Sequence, residues 1–311
     1  MSKTKKRRIY PGSVKPLGLR LIIISAIIFV LAAVALGVIL FGSSDKNEGT
    51  APQVPEGFLY VHFINVGQGD AILVETDICN MLIDTGNTDA ESKDSLMEYL
   101  DERNITTIDY LVLTHPDEDH IGGAADVINR YNIDECVMPA CVSNTPLYEE
   151  VLEALEKHKV DISVPEVGDV LNIGSATANI LGPVSDDYSD VNDHSIVILL
   201  EFGATSFLFA ADMGGRSELD FINSYKGKDL TCDLLKVGHH GASGSTSEEF
   251  LSMVSPSYAV ISCGKDNKYG HPHDQTVEKL EKQGVEYYRT DISGTITAIS
   301  NGRAVSIIEE K

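Results

Sequence analysis

The stretch Leu111-Val-Leu-Thr-His-Pro-Asp-Glu-Asp-His-Ile-Gly-Gly123 decides the fold of this chain of 311 residues. Its apolar beginning, from Tyr110 to Leu113, is typical of a buried strand. Four potential metal ligands follow within six residues, at a turn that precedes a helical pattern: His115, Asp117, Asp119 and His120. Carboxylates crowded this closely repel one another unless a cation compensates them. Because histidine and carboxylate groups are common ligands of divalent cations, the turn predicts a metal site rather than an acidic surface loop.

The order His-x-Asp-x-Asp-His after a strand resembles the metal motif of the metallo-β-lactamase superfamily, which is usually His-x-His-x-Asp-His. The acid at position 117, where the superfamily motif usually has its middle histidine, resembles the motif in the hydrolase domain of ComEC-type DNA-uptake proteins. Two further phrases are similar to that branch, Phe-Ile-Asn-Val-Gly-Gln-Gly-Asp-Ala at 63–71 and Lys-Val-Gly-His-His-Gly-Ala-Ser-Gly-Ser-Thr at 236–246. The resemblance covers about residues 58–311 and implies a four-layer αββα sandwich. The mixed order of strand and helix patterns also predicts an α/β fold of two sheets covered by helices.

The resemblance implies that later strands carry further metal ligands. Its third metal motif falls on Asn-Asp-His-Ser at 192–195, where His194 is the candidate and Asn192 or Asp193 are alternatives. Asp212 ends a fully apolar strand, at the place where the superfamily carries its metal-bridging acid. The alternative for Asp212 is a helix N-cap, since a short acidic side chain suits both positions.

Four histidines in the C-terminal half of the chain complete the expected site: His239, His240, His271 and His273. The resemblance implies that His239 or His240 occupies the second metal position, while the other lies beside it or touches the substrate; the sequence does not choose between them. The resemblance implies that the Gly-His-Pro-His phrase with His271 and His273 lies at the rim of the site, and a loop is where substrate contacts are common. Asp84, in an Asp-Thr-Gly turn, corresponds to the acid that orients the ligand loop beneath the metal site.

The expected chemistry is hydrolysis by water activated at two divalent cations, zinc or manganese. An acid at 117 in place of a histidine makes the ligand set harder and favours Mn²⁺. Two ions about 3.5–4 Å apart lower the pKa of a shared water and bind the oxygens of a phosphoryl group. The expected catalytic groups are Asp119, Asp212 and His240. One ion is assigned His115, Asp117 and His194; the second is assigned Asp119, His120 and His239 or His240; Asp212 bridges them.

The charge of the chain is unevenly distributed. Residues 1–41 carry seven Lys and Arg and no acid, so the remainder has 17 basic against 47 acidic residues, a net charge of −30. Such a domain repels polyanions except where metal ions offset its field. This distribution disfavours tight nucleic-acid binding, although it permits cleavage of a phosphodiester at a cationic centre.

The N-terminal region predicts a membrane anchor. After a basic tail at 1–20, residues 21–41 form an uncharged, almost wholly apolar run of 21 residues, long enough for a helix to cross a bilayer. The alternative is a cleaved signal peptide, whose apolar region is normally about 7–15 residues. The basic tail is expected to stay in the cytoplasm, which places the C-terminal part outside the cell membrane. A linker at 42–57 then precedes the hydrolase-like domain at 58–311.

These observations predict a single-pass membrane protein with an extracellular, metal-dependent hydrolase domain. The expected substrate is a phosphodiester, and the resemblance to DNA-uptake proteins suggests DNA. A cell-wall or lipid head-group phosphodiester is the alternative, which the acidic charge favours. A hypothesis of another class is a membrane-anchored binding protein on a degenerate hydrolase fold. The acid at 117 and the His-Pro-His phrase disfavour β-lactamase activity.

Overall fold

The computed structural model describes residues 54–310. The predicted basic tail, membrane helix and most of the linker lie outside this range. Among residues 54–310, no helix has both the length and the apolar composition needed to cross a bilayer. Val54, which belongs to the predicted linker, is buried in a small apolar cluster with Tyr60 and Ile299.

The first sheet forms from both ends of the described chain. Its strands are β1 (Leu59–Phe63), β2 (Ile72–Glu75), β3 (Asn80–Ile83), β4 (Thr107–Val112), β5 (Asn132–Val137), β6 (Asp161–Ser163), β14 (Ile296–Ser300) and β15 (Val305–Glu309). Their order across the sheet is β15-β14-β1-β2-β3-β4-β5-β6. The four strands from β3 to β6 are parallel neighbours, and the others pair antiparallel.

The second sheet has the same mixed character. Its strands are β7 (Val170–Ile173), β8 (Ala176–Gly182), β9 (Val197–Phe202), β10 (Thr205–Phe209), β11 (Leu234–Lys236), β12 (Tyr258–Ile261) and β13 (Glu286–Arg289). Their order is β13-β12-β11-β10-β9-β8-β7. The strands from β10 to β13 are parallel neighbours. The carboxyl ends of parallel strands are where α/β sheets usually carry their sites.

Helices cover the outer faces of the two sheets. They are α1 (Ala90–Glu102), α2 (Glu118–Ile121), α3 (Ala124–Arg130), α4 (Pro146–His158), α5 (Gly215–Ser224), α6 (Glu248–Val254), α7 (Asp274–Gln283) and α8 (Thr290–Ser293). Apolar residues of α1, α3 and α4 form one core with the first sheet, and those of α5, α6 and α7 form another with the second. The predicted two-sheet αββα arrangement is therefore confirmed for the described residues.

The two sheets pack face to face through strands that alternate between two cores. In β1, Val61 and Phe63 enter the core between the sheets, where they meet Phe207 and Phe209 of β10. Leu208, between those two phenylalanines, points to the opposite face and joins the helical layer. This two-residue period is why the strands read as apolar throughout, since both of their faces are buried.

Candidate metal centre

Asp84 anchors the turn between β4 and α2. Its Oδ1 accepts a hydrogen bond of 2.8 Å from the backbone N–H of Thr114, and its Oδ2 accepts 2.7 Å bonds from the Thr114 hydroxyl and from Nδ1 of His120. Asp84 itself has a positive φ of 59°, a conformation that Asp tolerates better than most residues. These bonds hold Thr114 and His120 in fixed orientations, which is what a supporting acid beneath a metal site would do.

Two glycines allow the neighbouring loops to approach this turn. A side chain at Gly69 would collide with the carbonyl oxygen of Asp119, and one at Gly122 would collide with the backbone of Asn87. The Asp119 carbonyl instead accepts a 3.0 Å hydrogen bond from the backbone N–H of Asp70. The loop after β1 is thus tied to the turn that carries the predicted ligands.

Three buried histidines, His115, His120 and His240, direct their Nε2 atoms toward one common volume. Nδ1 of His120 donates to Asp84, and Nδ1 of His240 donates to the Ser262 carbonyl at 3.0 Å. Because the Thr114 hydroxyl donates to Asp84, its oxygen accepts from Nδ1 of His115 at 3.1 Å. These bonds assign the Nδ1–H tautomer to all three rings and leave each Nε2 lone pair free for a cation.

Asp212 lies between these histidines at the end of β10. Its Oδ1 is 3.3 Å from Nε2 of His120, and its Oδ2 is 3.5 Å from Nε2 of His240. Oδ2 of Asp119 is 3.3 Å from the same nitrogen of His240. The backbone N–H of Asp212 donates to Oγ of Ser195 at 3.2 Å. This bond fixes the backbone of Asp212 relative to Ser195. The two oxygens of Asp212 thus face different histidines, an arrangement that suits a bridging carboxylate.

Ligand atoms of two overlapping sets lie within 4.8 Å of one another: His115, His120 and Asp212, and Asp119, His120 and His240. Two of these atoms, Nε2 of His115 and Oδ1 of Asp212, are buried without a hydrogen-bond partner in the described part of the chain, although Nε2 of His120 lies close to the second. Buried polar atoms normally have partners, so lone pairs left unpaired in one volume fit a divalent cation. Imidazole nitrogen and carboxylate oxygen are the donors that zinc and manganese sites use.

The charged side chains around this volume also favour the binding of a cation. Burial would lower the pKa of His120, but the carboxylates of Asp212 and Asp84 raise it well above its usual value. Burial opposes the charge of Asp212, yet His240 and His120 hold its pKa well below the usual range. Burial, with His120 nearby, lowers the pKa of His115 to about 3, so this ring is neutral. Without a metal, protons on two imidazoles supply the positive charge that a divalent cation would supply instead.

The structure separates the two neighbouring histidines that the sequence left open. His240 is buried, with Nε2 in the ligand volume, whereas His239 is partly exposed and its Nε2 lies 3.6 Å from Oδ2 of Asp212. Both have positive φ, 48° and 51°, so the backbone after β11 turns sharply and sends the two side chains apart. The geometry places His240 in the second ligand set and His239 at its edge.

His194, the candidate in the third motif, lies outside both ligand sets, and its role as a ligand stays a prediction. Its Nε2 donates to the Tyr188 carbonyl at 3.1 Å, and its ring packs against the Tyr188 ring. The next residue, Ser195, is the one that reaches the site, since its Oγ lies 3.5 Å from Nδ1 of His115. Asp117 borders the site: its Oδ2 is 3.9 Å from Nε2 of His115, and its side chain is 45 % exposed.

Sequence reasoning missed a buried ion pair beneath His240. Nζ of Lys236 lies 2.7 Å from Oδ2 of Asp70, and both side chains are almost completely buried. Burial would raise the pKa of Asp70, but Lys236 and His240 lower it to about 2. The signal was present in the sequence, because Lys236 is the one cation in the apolar run from Leu234 to Val237.

His271 lies beside His240 and His239, and His273 lies beside His271. The ring of His271 lies 6.2 Å from that of His240 and 5.6 Å from that of His239, measured between centroids. Burial and the neighbouring histidines lower the pKa of His271 to about 4, and its buried Nδ1 has no partner among residues 54–310. His273 is held more firmly, since its Nδ1 accepts from the Ser243 N–H at 2.9 Å. His271 therefore lies beside His240, and the substrate contact expected for the two histidines stays a prediction.

Residues 64–265 match the family described as Metallo-beta-lactamase superfamily, and the chain belongs to that superfamily. With its histidine and aspartate sets, it is a metal-dependent hydrolase of this fold. Its relatives include ComE operon protein 3 of Bacillus subtilis, 34 % identical over 76 % of this chain, and competence protein ComA of Neisseria gonorrhoeae, 30 % identical over 78 %. These relatives confirm the ComEC-type branch.

The chain spans about a third of the length of these relatives, 32 % in both cases. Among solved structures, the metallo-beta-lactamase fold protein YhfI from Bacillus subtilis is similar, with a TM-score of 0.51 at 12 % identity. The alignment covers 75 % of this chain and 95 % of YhfI. At this level of identity the likeness supports the fold alone.

Proposed function

We propose that this chain is a phosphodiesterase that uses two divalent cations, zinc or manganese, to activate water. The observation that carries the proposal is the convergence of three Nε2 atoms and the carboxylates of Asp119 and Asp212 on one buried volume. Cations held there would lower the pKa of water and offset charge on phosphoryl oxygens. The ligands we assign are His115, Asp119, His120, Asp212 and His240, with Asp117 at the border.

Several residues near the assigned ligands have supporting roles in this proposal. Asp84 holds His120 in the required tautomer, and Ser195 and Thr114 hold His115. His271 is neutral at physiological pH, so it can contact the substrate by hydrogen bonding without a charge of its own. No serine or cysteine nucleophile is required, and burial raises the pKa of the Cys263 thiol to about 12, which makes that thiol unreactive.

DNA is the substrate we propose first, because one relative is named a competence protein and the chain resembles DNA-uptake proteins. The specific observation for a second candidate is the net charge of −30 over residues 42–311, which opposes the approach of a polyanion. A cell-wall or lipid head-group phosphodiester presents fewer charges and meets less repulsion. Either substrate would be reached on the outer side of the membrane, with residues 21–41 as the anchor and the basic tail inside.

A substrate panel tests the activity. The purified full-length chain is stripped of metal and supplied with Mn²⁺ or Zn²⁺. It is then offered bis(4-nitrophenyl) phosphate, labelled single- and double-stranded DNA, and glycerophosphodiester lipids. We expect hydrolysis of the model diester with both the wild type and a surface control, Asp220→Ala, and none with Asp212→Ala. DNA cleavage supports the first substrate, and lipid cleavage without DNA cleavage supports the second. A chain that binds less than one cation would instead favour a binding protein.

Protease added to intact cells tests the placement in the membrane. We expect degradation of the hydrolase domain without lysis, while a tag fused to the N-terminus survives. Degradation of the domain only after lysis would contradict an extracytoplasmic location.

A further inference from the structure

The ion pair between Asp70 and Lys236 lies next to His240 of the proposed metal centre. Lys236 ends β11, and Asp70 ends the loop after β1, so the pair joins the two sheets. Besides Asp70, the Lys236 ammonium donates to the Val237 carbonyl at 3.1 Å. An ammonium is costly to bury, and an apolar pair of similar size would usually be no less stable. A packing role alone is therefore a weak reason for this charge.

Asp70 is also close enough to be a metal ligand. Its ligand atoms, together with those of Asp212 and His240, lie within 4.8 Å of one another. Oδ1 of Asp70 lies 3.3 Å from Nδ1 of His240, but it is buried without a hydrogen-bond partner in the described residues. Its other oxygen, Oδ2, is the one paired with Lys236. An unpaired carboxylate oxygen beside His240 would attract a cation if Lys236 did not already offset its charge.

We propose that Lys236 acts as a permanently attached cation of the metal centre, which keeps Asp70 as a support for His240 and limits how tightly the centre binds divalent cations. The inference rests on the proposed function, because it requires that the ligand set binds such cations. Charge is the physical basis: Lys236 is paired with Asp70, whose other oxygen lies beside His240, and this buried ammonium repels a divalent cation with little screening by solvent.

The two members of the pair should then change cation affinity in opposite directions. Lys236→Met removes the repulsion and frees Asp70, so Mn²⁺ affinity should rise by about tenfold or more. Asp70→Asn leaves the ammonium uncompensated, so Mn²⁺ affinity should fall by a similar factor. The double variant restores charge balance and should return near the wild-type affinity. A purely structural pair behaves differently, since either single change would disturb His240 and weaken binding.

Calorimetric titration of Mn²⁺ into the metal-stripped full-length chain measures these affinities. The absorption spectrum of the Co²⁺ form reports independently whether the histidine ligands are still in place. Glu75→Gln is the matched control, because Glu75 is a buried carboxylate paired with Arg103 and His62 in another part of the first sheet. We expect this control to lose stability and to keep the wild-type affinity.

Three results would overturn the inference: weaker binding in both single variants, unchanged affinity in both, or a double variant no better than Asp70→Asn. If Lys236→Met does not fold, Lys236→Gln replaces it. Asp70→Asn alone remains decisive because unchanged affinity there rejects the role of the pair. A wild-type chain that binds no divalent cation would reject the proposed function itself, which separates the two failures.

Discussion

Nδ1 of His120 lies 2.7 Å from Oδ2 of Asp84, and both side chains are completely buried. The bond joins the end of β3 to the turn after β4, two parallel neighbours in the first sheet. It turns the free nitrogen of His120 toward Asp212 and supplies negative charge behind the ring. The proposed metal centre therefore depends on an acid that does not itself belong to the assigned ligands.

Asp84→Asn tests this support. The amide keeps the size of the acid and its tolerance of positive φ, but it loses the charge behind His120. We expect the affinity for Mn²⁺ to fall about 10–100-fold, as for other partners of metal-bound histidines, with the fold retained. Calorimetry on the metal-stripped chain measures the change. Asp233→Asn is the control, because Asp233 precedes β11, at the strand end away from Lys236. Its Oδ2 accepts a hydrogen bond from the Ser206 N–H. Equal losses in both variants would contradict a specific role of Asp84.

Asp212→Ala tests the bridging carboxylate. Removing both oxygens leaves the two histidine sets without their common acid, so we expect phosphodiester hydrolysis to fall more than about a thousandfold. Circular dichroism should show an unchanged fold, since Asp212 is anchored by its backbone N–H. Substantial activity of a metal-free Asp212→Ala chain would refute the mechanism.

The contrast between His194 and His240 tests the ligand set assigned from the geometry. We expect His194→Ala to keep the wild-type cation content, because its Nε2 is bonded to the Tyr188 carbonyl away from the site. We expect His240→Ala to lose a cation, because its Nε2 faces Asp119 and Asp212. Elemental analysis after dialysis against Mn²⁺ or Zn²⁺ measures both. The reverse pattern would restore the ligand role expected for His194 from the resemblance.

The stability of the metal-free chain should depend on pH near neutrality. The pKa values of His120 and His240 are raised well above 6.5, their ordinary value, by Asp212 and other acids that outweigh the effect of burial. Groups with a raised pKa stabilise the folded state fully below the unfolded pKa, and this contribution is lost as pH rises through the folded pKa. We therefore expect the melting temperature of the chelator-treated chain to fall as the pH rises above about 6.5.

Cation binding provides the control for that pH dependence. A bound divalent cation displaces the protons, so the metal-loaded chain should lose this slope and its cation affinity should rise with pH. Melting curves with and without Mn²⁺ across the same range measure both effects. A metal-free chain whose melting temperature climbs over this range would contradict the charge assignment at the two histidines.

His271→Ala tests the rim. Because this ring lies beside His240 but outside the ligand sets, we expect KM for a phosphodiester to rise about tenfold with the cation content unchanged. His158→Ala is the control, since His158 lies at the exposed end of α4 and bonds to Asn129. A loss of cations in His271→Ala would make this residue a ligand instead.

The sequence by itself determined the local parts of this protein. The run from Tyr110 to Leu113 and the four ligand residues after it predicted a strand, a turn and a metal site, because their spacing is short enough to be fixed by one connection. An amphipathic pattern from Leu147 to His158 likewise indicates a helix, and α4 ends at that residue. Asp84 and Asp212 were recognised through resemblance and position at strand ends.

Only the tertiary structure decided which distant side chains meet. β1 pairs with β14 across most of the chain, with Val61 opposite Ala298, and no local pattern encodes that partner. The backbone turn after β11 buries His240 and leaves His239 at the edge, although both have the same neighbours in sequence. Asp70 and Lys236 come together because different sheets carry them to one buried place. Their contact depends on long-range packing, which composition and periodicity do not specify.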